Sequence, residues 1–204
     1  MTKVKICGLM EPQHVKVAVD AGADAIGLVF APSKRRVSIQ KAKELAKAIP
    51  PHVAKIGVFV NASVEELQQT FREVPLDLVQ LHGDENAELI KEAGLPSIKA
   101  LSVRNVEDVE RANRYEADYF LFDTPGTEFR GGSGLTFDWE LMNGAGVSSE
   151  KVILAGGLNP DNVGEAIRRV KPYMVDVSSG VELDGRKDEQ LIRAFVQAVK
   201  EEEI

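Results

Sequence analysis

The chain has 204 residues, of which 44% are hydrophobic and 28% are charged, as in a folded globular domain and not in a disordered chain. Its 32 acidic and 25 basic side chains give a net charge of −7, which argues against nucleic acid or an anionic membrane as partners. A single cysteine excludes an internal disulfide and a multi-cysteine zinc site, and the three histidines match no metal motif. The N-terminal segment has no long apolar run, so we expect a cytoplasmic protein without a signal peptide.

Short apolar runs recur along the whole chain. They are nearly continuous in Val, Ile, Leu and Phe, as in strands of a parallel sheet that is covered on both faces. In chain order the predicted strands span 4–6, 25–30, 55–60, 78–81, 97–100, 119–122, 151–155 and 174–177.

Segments with helical periodicity lie between these runs. Apolar residues at i, i+3, i+4 and i+7 predict helices over 15–22, 42–49 and 163–170, and a similar stripe covers 64–74. A last helix is predicted over 187–203, whereas the pattern at 137–142 is the least convincing.

Residues at the ends of these patterns mark helix boundaries. Ser63, with a glutamate three residues later, predicts a capped helix start. Asn159 followed by Pro160 predicts another start, with proline in the first turn. Gly22 and Gly94 predict helix ends.

Eight strands, each followed by a helical pattern, predict a closed (β/α)8 barrel in one domain over residues 1–204. The alternative is an open doubly wound sheet, which usually has fewer strands. In a barrel, functional groups lie on the loops after the strands' carboxyl ends.

Cys7 ends the first predicted strand and Asp123 the sixth. A thiol with the ordinary pKa of about 8.5 is a poor base at neutral pH, so a general base here would need a cation or a substrate that lowers its pKa. Lys5 could supply that charge, or it could pair with Asp176 on strand eight. Desolvation after an apolar run suits Asp123 to a general acid. The alternatives are a structural cysteine and an aspartate that stabilises its own turn.

Other polar groups follow strands two, four and six. Arg35 could bind a carboxylate with two hydrogen bonds, or it could lie on a solvated surface. His82 and Gln80 are interpreted as polar groups that line the site and not as metal ligands. The glycine-rich segment 131–134 is a candidate lid.

Small residues follow the last two strands: Gly156 and Gly157 after strand seven, and Ser178, Ser179 and Gly180 after strand eight. Loops at these positions of a barrel commonly bind phosphate through backbone N–H groups. The alternative is that the glycines only form tight turns.

Several motifs occur in order along the chain: VKICGL, GADAIGLVFAPSKRRVS, KIGVFVN, VQLHGDE, LFDT followed by GGSGLTFDW, AGGLNPDNV and VDVSSGVE. Together they cover almost the whole sequence and resemble the phosphoribosylanthranilate isomerases of tryptophan biosynthesis. The resemblance implies a single-domain barrel that needs no cofactor and no metal. It also implies an Amadori rearrangement of N-(5-phosphoribosyl)anthranilate to 1-(2-carboxyphenylamino)-1-deoxyribulose 5-phosphate.

The resemblance further implies roles for the candidate residues. Asp123 would be the general acid that protonates the ribose ring oxygen, and Cys7 the general base that removes the proton from C2 of the sugar. Arg35 would bind the anthranilate carboxylate, and the loops after strands seven and eight would bind phosphate. Gln80 and His82 match positions that line the site.

Other functions on the same barrel remain possible from the residues alone. A metal-dependent epimerase would need more histidine and aspartate ligands, and an indole-3-glycerol-phosphate synthase would need an N-terminal extension and catalytic lysines. A histidine-pathway isomerase uses a pair of aspartates where this chain has Cys7 and Asp123. A non-catalytic phospho-ligand binder would need neither residue. The sequence is compatible with a monomer or a homodimer.

Overall fold

The computed structural model describes residues 1–125, 136–143 and 146–202. Eight parallel strands close into a barrel in chain order, with the last strand paired to the first. The barrel confirms the predicted fold and excludes the open sheet. The strands are β1 (Lys3–Cys7), β2 (Ala25–Val29), β3 (Ala54–Phe59), β4 (Leu78–Leu81), β5 (Ser97–Ser102), β6 (Tyr119–Asp123), β7 (Val152–Leu154) and β8 (Met174–Val177).

Helices cover the outside of the barrel. They are α1 (Pro12–Ala21), α2 (Ile39–Ala46), α3 (Val64–Glu73), α4 (Ala87–Ala93), α5 (Val106–Glu110), α6 (Val163–Val170) and α7 (Glu189–Glu201). Between β6 and β7 the described residues form only the short 3₁₀ turns Trp139–Met142 and Ser149–Lys151, so the weakest helical pattern does not produce an α-helix. No helix within the described ranges is long and apolar enough to cross a membrane.

Three of the predicted helix boundaries hold and one is wrong. Gly22 and Gly94 end α1 and α4 in the left-handed conformation, and Ser63 Oγ accepts from the backbone of the third residue beyond it. Asn159, however, does not start α6. Its side chain accepts from the backbone N–H groups of the second and third residues after it and closes a turn there, so that the helix begins only after Asn162.

The barrel has separate inner and outer cores. The inner core consists of small and branched side chains, among them Ala25, Ile56, Leu121 and Ile153, whereas a larger apolar layer joins the outer strand faces to the helices. Alternate residues of a strand share a face, so Asp123 points inward like Leu121. The filled interior therefore leaves Asp123, the last residue of β6, at the carboxyl-terminal mouth.

A hairpin follows β8 and is absent from the predicted elements. It pairs β9 (Glu182–Leu183) with β10 (Arg186–Lys187) in antiparallel register. Asp184 and Gly185 form its turn with positive φ angles of 50° and 76°, the geometry that favours an Asp-Gly pair. The hairpin adds charged side chains to the barrel mouth.

Candidate active site

Cys7 lies at the carboxyl end of β1 with its side chain turned inward. It is 8% exposed and packs with Val29 of β2 and Val58 of β3. Gly27 of β2 provides the space, because a Cβ there would stand 2.7 Å from the sulfur. The thiol therefore faces the mouth from a tight, largely apolar wall.

Charges from three strands act on this thiol. Burial raises the pKa of Cys7, Asp176 adds to that rise, and the ammonium groups of Lys5 and Lys187 oppose it. Lys5 donates to Asp176 Oδ2 at 2.9 Å, so the pairing foreseen as the alternative role of Lys5 is confirmed. Without substrate the pKa of Cys7 is thus raised, opposite to the direction that a general base requires.

Asp123 faces the same mouth from the end of β6 and is 4% exposed. Its Oδ2 lies 3.4 Å from His82 Nε2, and Gln80 Nε2 lies 2.9 Å from His82 Nδ1. If the Gln80 amide donates to Nδ1, the neutral imidazole carries its proton on Nε2, toward the carboxylate. Gln80 and His82 therefore line the site and form a chain that ends at Asp123.

Arg35 lies at the barrel mouth and not on an open surface. Its stem crosses Gly8, where a Cβ would stand 2.5 Å from Arg35 Cδ. Nε and Nη2 of its guanidinium donate to the two carboxylate oxygens of Glu182 at 2.6 and 2.9 Å. The arginine is held beside the Cys7 loop by a partner on the hairpin.

The Glu182 carboxylate lies among several cationic side chains. Besides Arg35, Lys187 Nζ lies 3.0 Å from Oε1 and Lys34 Nζ lies 3.2 Å from Oε2. Burial raises the pKa of Glu182, but the hydrogen bond from Arg35 and the charge of Lys187 outweigh it and lower the pKa to about 2. The group is therefore a fixed anion at any physiological pH.

The loops after β7 and β8 are packed directly against each other. A side-chain carbon at Gly180 would overlap the carbonyl oxygen of Leu158. Asn162 Nδ2 donates to the Gly157 carbonyl at 3.0 Å, and a Cβ at Gly156 would approach Asp123 Oδ1 to 2.9 Å. The structure therefore brings the two predicted phosphate loops together, with one of them against Asp123.

The serines of the second loop have different positions. Ser178 turns inward, where its hydroxyl donates to the Cys7 carbonyl at 3.2 Å and its own carbonyl accepts from Lys187 Nζ at 2.7 Å. Ser179 begins the 3₁₀ turn Ser179–Val181. Ser178 thus connects the hairpin to the Cys7 backbone.

Sequence reasoning missed Glu182 and Lys187, both on the hairpin. An Asp-Gly pair between two short polar segments is a hairpin signal, and it was available in the sequence at Asp184 and Gly185. The candidate lid at 131–134 lies outside the described residues. In the part of the chain that the structure describes, no group of three His, Cys, Asp or Glu side chains could hold a metal ion.

The sequence matches a known family over almost its whole length. The sequence model of the family described as N-(5'phosphoribosyl)anthranilate (PRA) isomerase matches residues 4–198. A Bacillus mycoides (strain KBAB4) protein named N-(5'-phosphoribosyl)anthranilate isomerase is 52% identical over 200 residues, 98% of each chain. A protein of the same name from Listeria monocytogenes serotype 4a (strain HCC23) is 50% identical over 197 residues, which are 97% of this chain and 98% of that protein.

Solved structures show the same similarity. Phosphoribosyl anthranilate isomerase from Thermotoga maritima superposes with a TM-score of 0.89 at 41% identity, over 98% of this chain and all of that one. A phosphoribosyl anthranilate isomerase in complex with reduced 1-(o-carboxyphenylamino)-1-deoxyribulose 5-phosphate gives a TM-score of 0.86 at 40% identity, with the same coverage of both chains.

Proposed function

The chain belongs to the N-(5'-phosphoribosyl)anthranilate isomerase family, and we propose that Cys7 and Asp123 divide the acid–base chemistry of its reaction. The enzyme isomerises phosphoribosylanthranilate to the corresponding aminoketose in tryptophan biosynthesis. The observation that supports the two roles is that a thiol and a carboxyl group, both buried, point inward from β1 and β6 at the same barrel mouth.

The reaction then begins with two proton transfers. The protonated carboxyl group of Asp123 gives its proton to the ribose ring oxygen, the bond from that oxygen to C1 breaks, and the nitrogen lone pair forms a Schiff base. The thiolate of Cys7 removes the proton from C2, and the electrons of the C–H bond move toward the nitrogen. The resulting enolamine tautomerises to the ketone. Each step needs a group in a defined protonation state within hydrogen-bond reach.

Arg35 is the proposed contact for the anthranilate carboxylate. Glu182 engages Nε and Nη2 of its guanidinium, and Nη1 lies at the other end of the same planar fork. We assign Nη1 to the substrate carboxylate. Glu182 fixes the plane of the guanidinium before substrate arrives, so less side-chain entropy is lost on binding.

The packed loops after β7 and β8 are the proposed phosphate site, with Gly156, Gly157, Ser179 and Gly180 contributing backbone N–H groups. A side chain at Gly180 would block the contact with Leu158 of the other loop, and one at Gly156 would meet Thr124 and Asp123. Ser178 is directed toward Cys7, so we assign it to the support of β1 and not to the phosphate. This changes its proposed role from the one predicted from sequence.

Assembly and location belong to the same proposal. The ligand is a small phosphosugar, and the chain acts as a monomer or a homodimer. One similar solved structure is described as monomers generated from the dimeric enzyme of Thermotoga maritima. We place the enzyme in the cytoplasm, with the other enzymes that use phosphorylated ribose.

The test is an assay in which the unstable substrate is made in place, from anthranilate and phosphoribosyl pyrophosphate, by the preceding enzyme. Loss of the substrate's fluorescence reports turnover. We expect fast loss with the wild type and almost none with Cys7→Ala. A folded wild type without turnover would contradict the family assignment, whereas an active Cys7→Ala variant would remove only the proposed base.

A further inference from the structure

Lys187 is a buried ammonium group that the mechanism above does not use. Its side chain is 5% exposed, although lysine is rarely buried unless it is paired. Nζ donates to the Ser178 carbonyl at 2.7 Å and to Ser178 Oγ at 3.2 Å, and it lies 3.0 Å from Glu182 Oε1. An ammonium has three protons, and these contacts engage all of them. The group is therefore held in place as a charge and is not poised to donate to a ligand.

The position of this charge relates it to Cys7. Ser178, which accepts two contacts from Lys187, donates its hydroxyl proton to the Cys7 carbonyl. The hairpin thus holds an ammonium against Ser178, whose hydroxyl in turn contacts the backbone of Cys7. The burial that surrounds the pair leaves little water to screen the interaction.

Other charges act on Cys7 together with Lys187. Lys5, on the same strand, is paired with Asp176 on β8; its ammonium lowers the pKa of the thiol, and the Asp176 carboxylate opposes that effect. Glu182 on β9 is shared among Lys187, Arg35 and Lys34. One carboxylate cannot neutralise these cations together, and a net positive charge remains on the hairpin side of Cys7.

We propose that Lys187 is a positioning residue that acts through Cys7: its fixed ammonium charge stabilises the thiolate and so makes the thiol usable as a base. The proposal rests on the role of Cys7 proposed above. The direction of the thiol's response supports it, since Lys187 lowers the pKa of Cys7 while burial raises it. The effect is reciprocal, because burial lowers the pKa of Lys187 and the Cys7 thiolate opposes that shift.

The single cysteine of the chain makes a substrate-free test possible. The rate of alkylation by iodoacetamide, followed by intact mass as a function of pH, reports the ionisation of Cys7 alone. We expect Lys187→Met to raise the midpoint of this profile by about one pH unit or more, as the loss of a nearby opposite charge does. Lys187→Arg keeps the charge and is expected to leave the midpoint within a few tenths of a unit of wild type.

Lys34→Met is the matched control. Lys34 contacts the same carboxylate, but its side chain is 59% exposed, so solvent screens its charge and the midpoint is expected to stay in place. Lys187→Gln, which keeps an N–H donor for Ser178, is the second variant in case Lys187→Met does not fold. Circular dichroism and a cooperative thermal transition establish folding for each variant.

The pH dependence of kcat/KM completes the test. The acidic limb of this profile should move upward in Lys187→Met by the same amount as the alkylation midpoint. If Lys187→Met or Lys187→Gln is folded and its alkylation midpoint is unchanged, the role of Lys187 is overturned and the proposed function is left intact. If the midpoint shifts but Cys7→Ala still turns over substrate, the electrostatic coupling stands and the catalytic role of Cys7 fails.

Discussion

The guanidinium of Arg35 donates two hydrogen bonds, of 2.6 and 2.9 Å, to the carboxylate of Glu182. The two residues are 147 positions apart in the sequence. Bidentate pairs of this kind add geometric specificity as well as energy. The pair joins the loop after β2 to the hairpin after β8. It thereby closes one side of the barrel mouth and fixes the group that we assign to the substrate carboxylate.

Replacing Arg35 should raise KM more strongly than it lowers kcat. We expect Arg35→Ala to raise KM by about 100-fold, the loss of a charged hydrogen bond of about 3 kcal/mol, with kcat reduced much less. Arg35→Lys should recover little, because an ammonium cannot form the planar double contact. Steady-state kinetics with varied substrate measure both constants. A KM equal to that of wild type in Arg35→Ala would remove the proposed carboxylate contact.

Glu182 should also make stability depend on pH. Its pKa is lowered to about 2 in the folded protein, and a depressed carboxyl pKa contributes stability above the unfolded value of about 4.3, which is lost as pH falls toward the folded value. Glu182→Gln should therefore unfold more easily than wild type at pH 7, by on the order of 2 kcal/mol. The difference should shrink between about pH 4 and pH 2. Urea unfolding at several pH values tests this, and a pH-independent difference would contradict it.

The two groups assigned to proton transfer should affect turnover and not folding. We expect Asp123→Asn to lower kcat by a factor of about 100 or more, within the range for a lost general acid. Cys7→Ala should lower it by a similar factor. Both side chains are buried at the mouth, and each replacement is of equal or smaller size, so the variants should remain folded. Turnover near the wild-type rate in a folded variant would exclude that residue from the mechanism.

Gln80 contacts His82, which contacts Asp123. If these contacts orient the proposed general acid and do not bind substrate, their loss should change kcat and leave KM nearly unchanged. Gln80→Leu removes the contact to His82 Nδ1, found at 2.9 Å, and frees the imidazole to change tautomer and ring orientation. We expect kcat to fall by about tenfold, or about 1.4 kcal/mol of transition-state stabilisation, with little change in KM. His82→Ala should have a similar effect, and the double variant should be no worse than either single one. Additive losses would show that the two residues act independently.

Gly180 tests the contact between the two proposed phosphate loops. Gly180→Ala would place a carbon against the Leu158 carbonyl, and the loops would have to separate. We expect a loss of about 1–3 kcal/mol in stability, as for overpacking, together with a raised KM. Gly94→Ala is the control, since a Cβ there meets nothing within 4 Å. It should lower stability through its positive φ of 60° but leave KM unchanged. Equal KM values in the two variants would contradict the placement of the phosphate.

The sequence was most informative where the pattern is local. Continuous apolar runs place a strand such as 78–81 at its observed bounds, and a residue at a strand end, such as Cys7 or Asp123, must face the mouth. Asn159 was misplaced because an asparagine can close a turn as well as cap a helix. Glu182 was missed because its partner Arg35 is distant in sequence and meets it only in the closed barrel. Lys187 was missed because the hairpin that brings it back to Ser178 was not predicted.

A buried ion pair outside the barrel wall gives a final prediction. Lys99 Nζ on β5 donates to Glu85 Oε2 at 2.7 Å and to the Gly83 carbonyl at 2.8 Å. Glu85 Oε1 accepts from the backbone of Asn61 at 2.8 Å. The pair joins the loops after β3 and β4, next to His82. Lysine and glutamate here are 1% and 4% exposed, so loss of one partner leaves the other charge buried and uncompensated.

We therefore expect Lys99→Met to cost about 3–5 kcal/mol of unfolding free energy, measured by urea denaturation at pH 7. Lys99→Met combined with Glu85→Leu should cost less than Lys99→Met alone, because the second change removes the orphaned charge. Lys16→Met breaks an exposed pair with Asp20 and should cost no more than about 0.5 kcal/mol. If the double variant were instead less stable than Lys99→Met by the full cost of Glu85→Leu, the two side chains would not be coupled. The loops beside His82 would then be held mainly by the backbone contacts of Glu85.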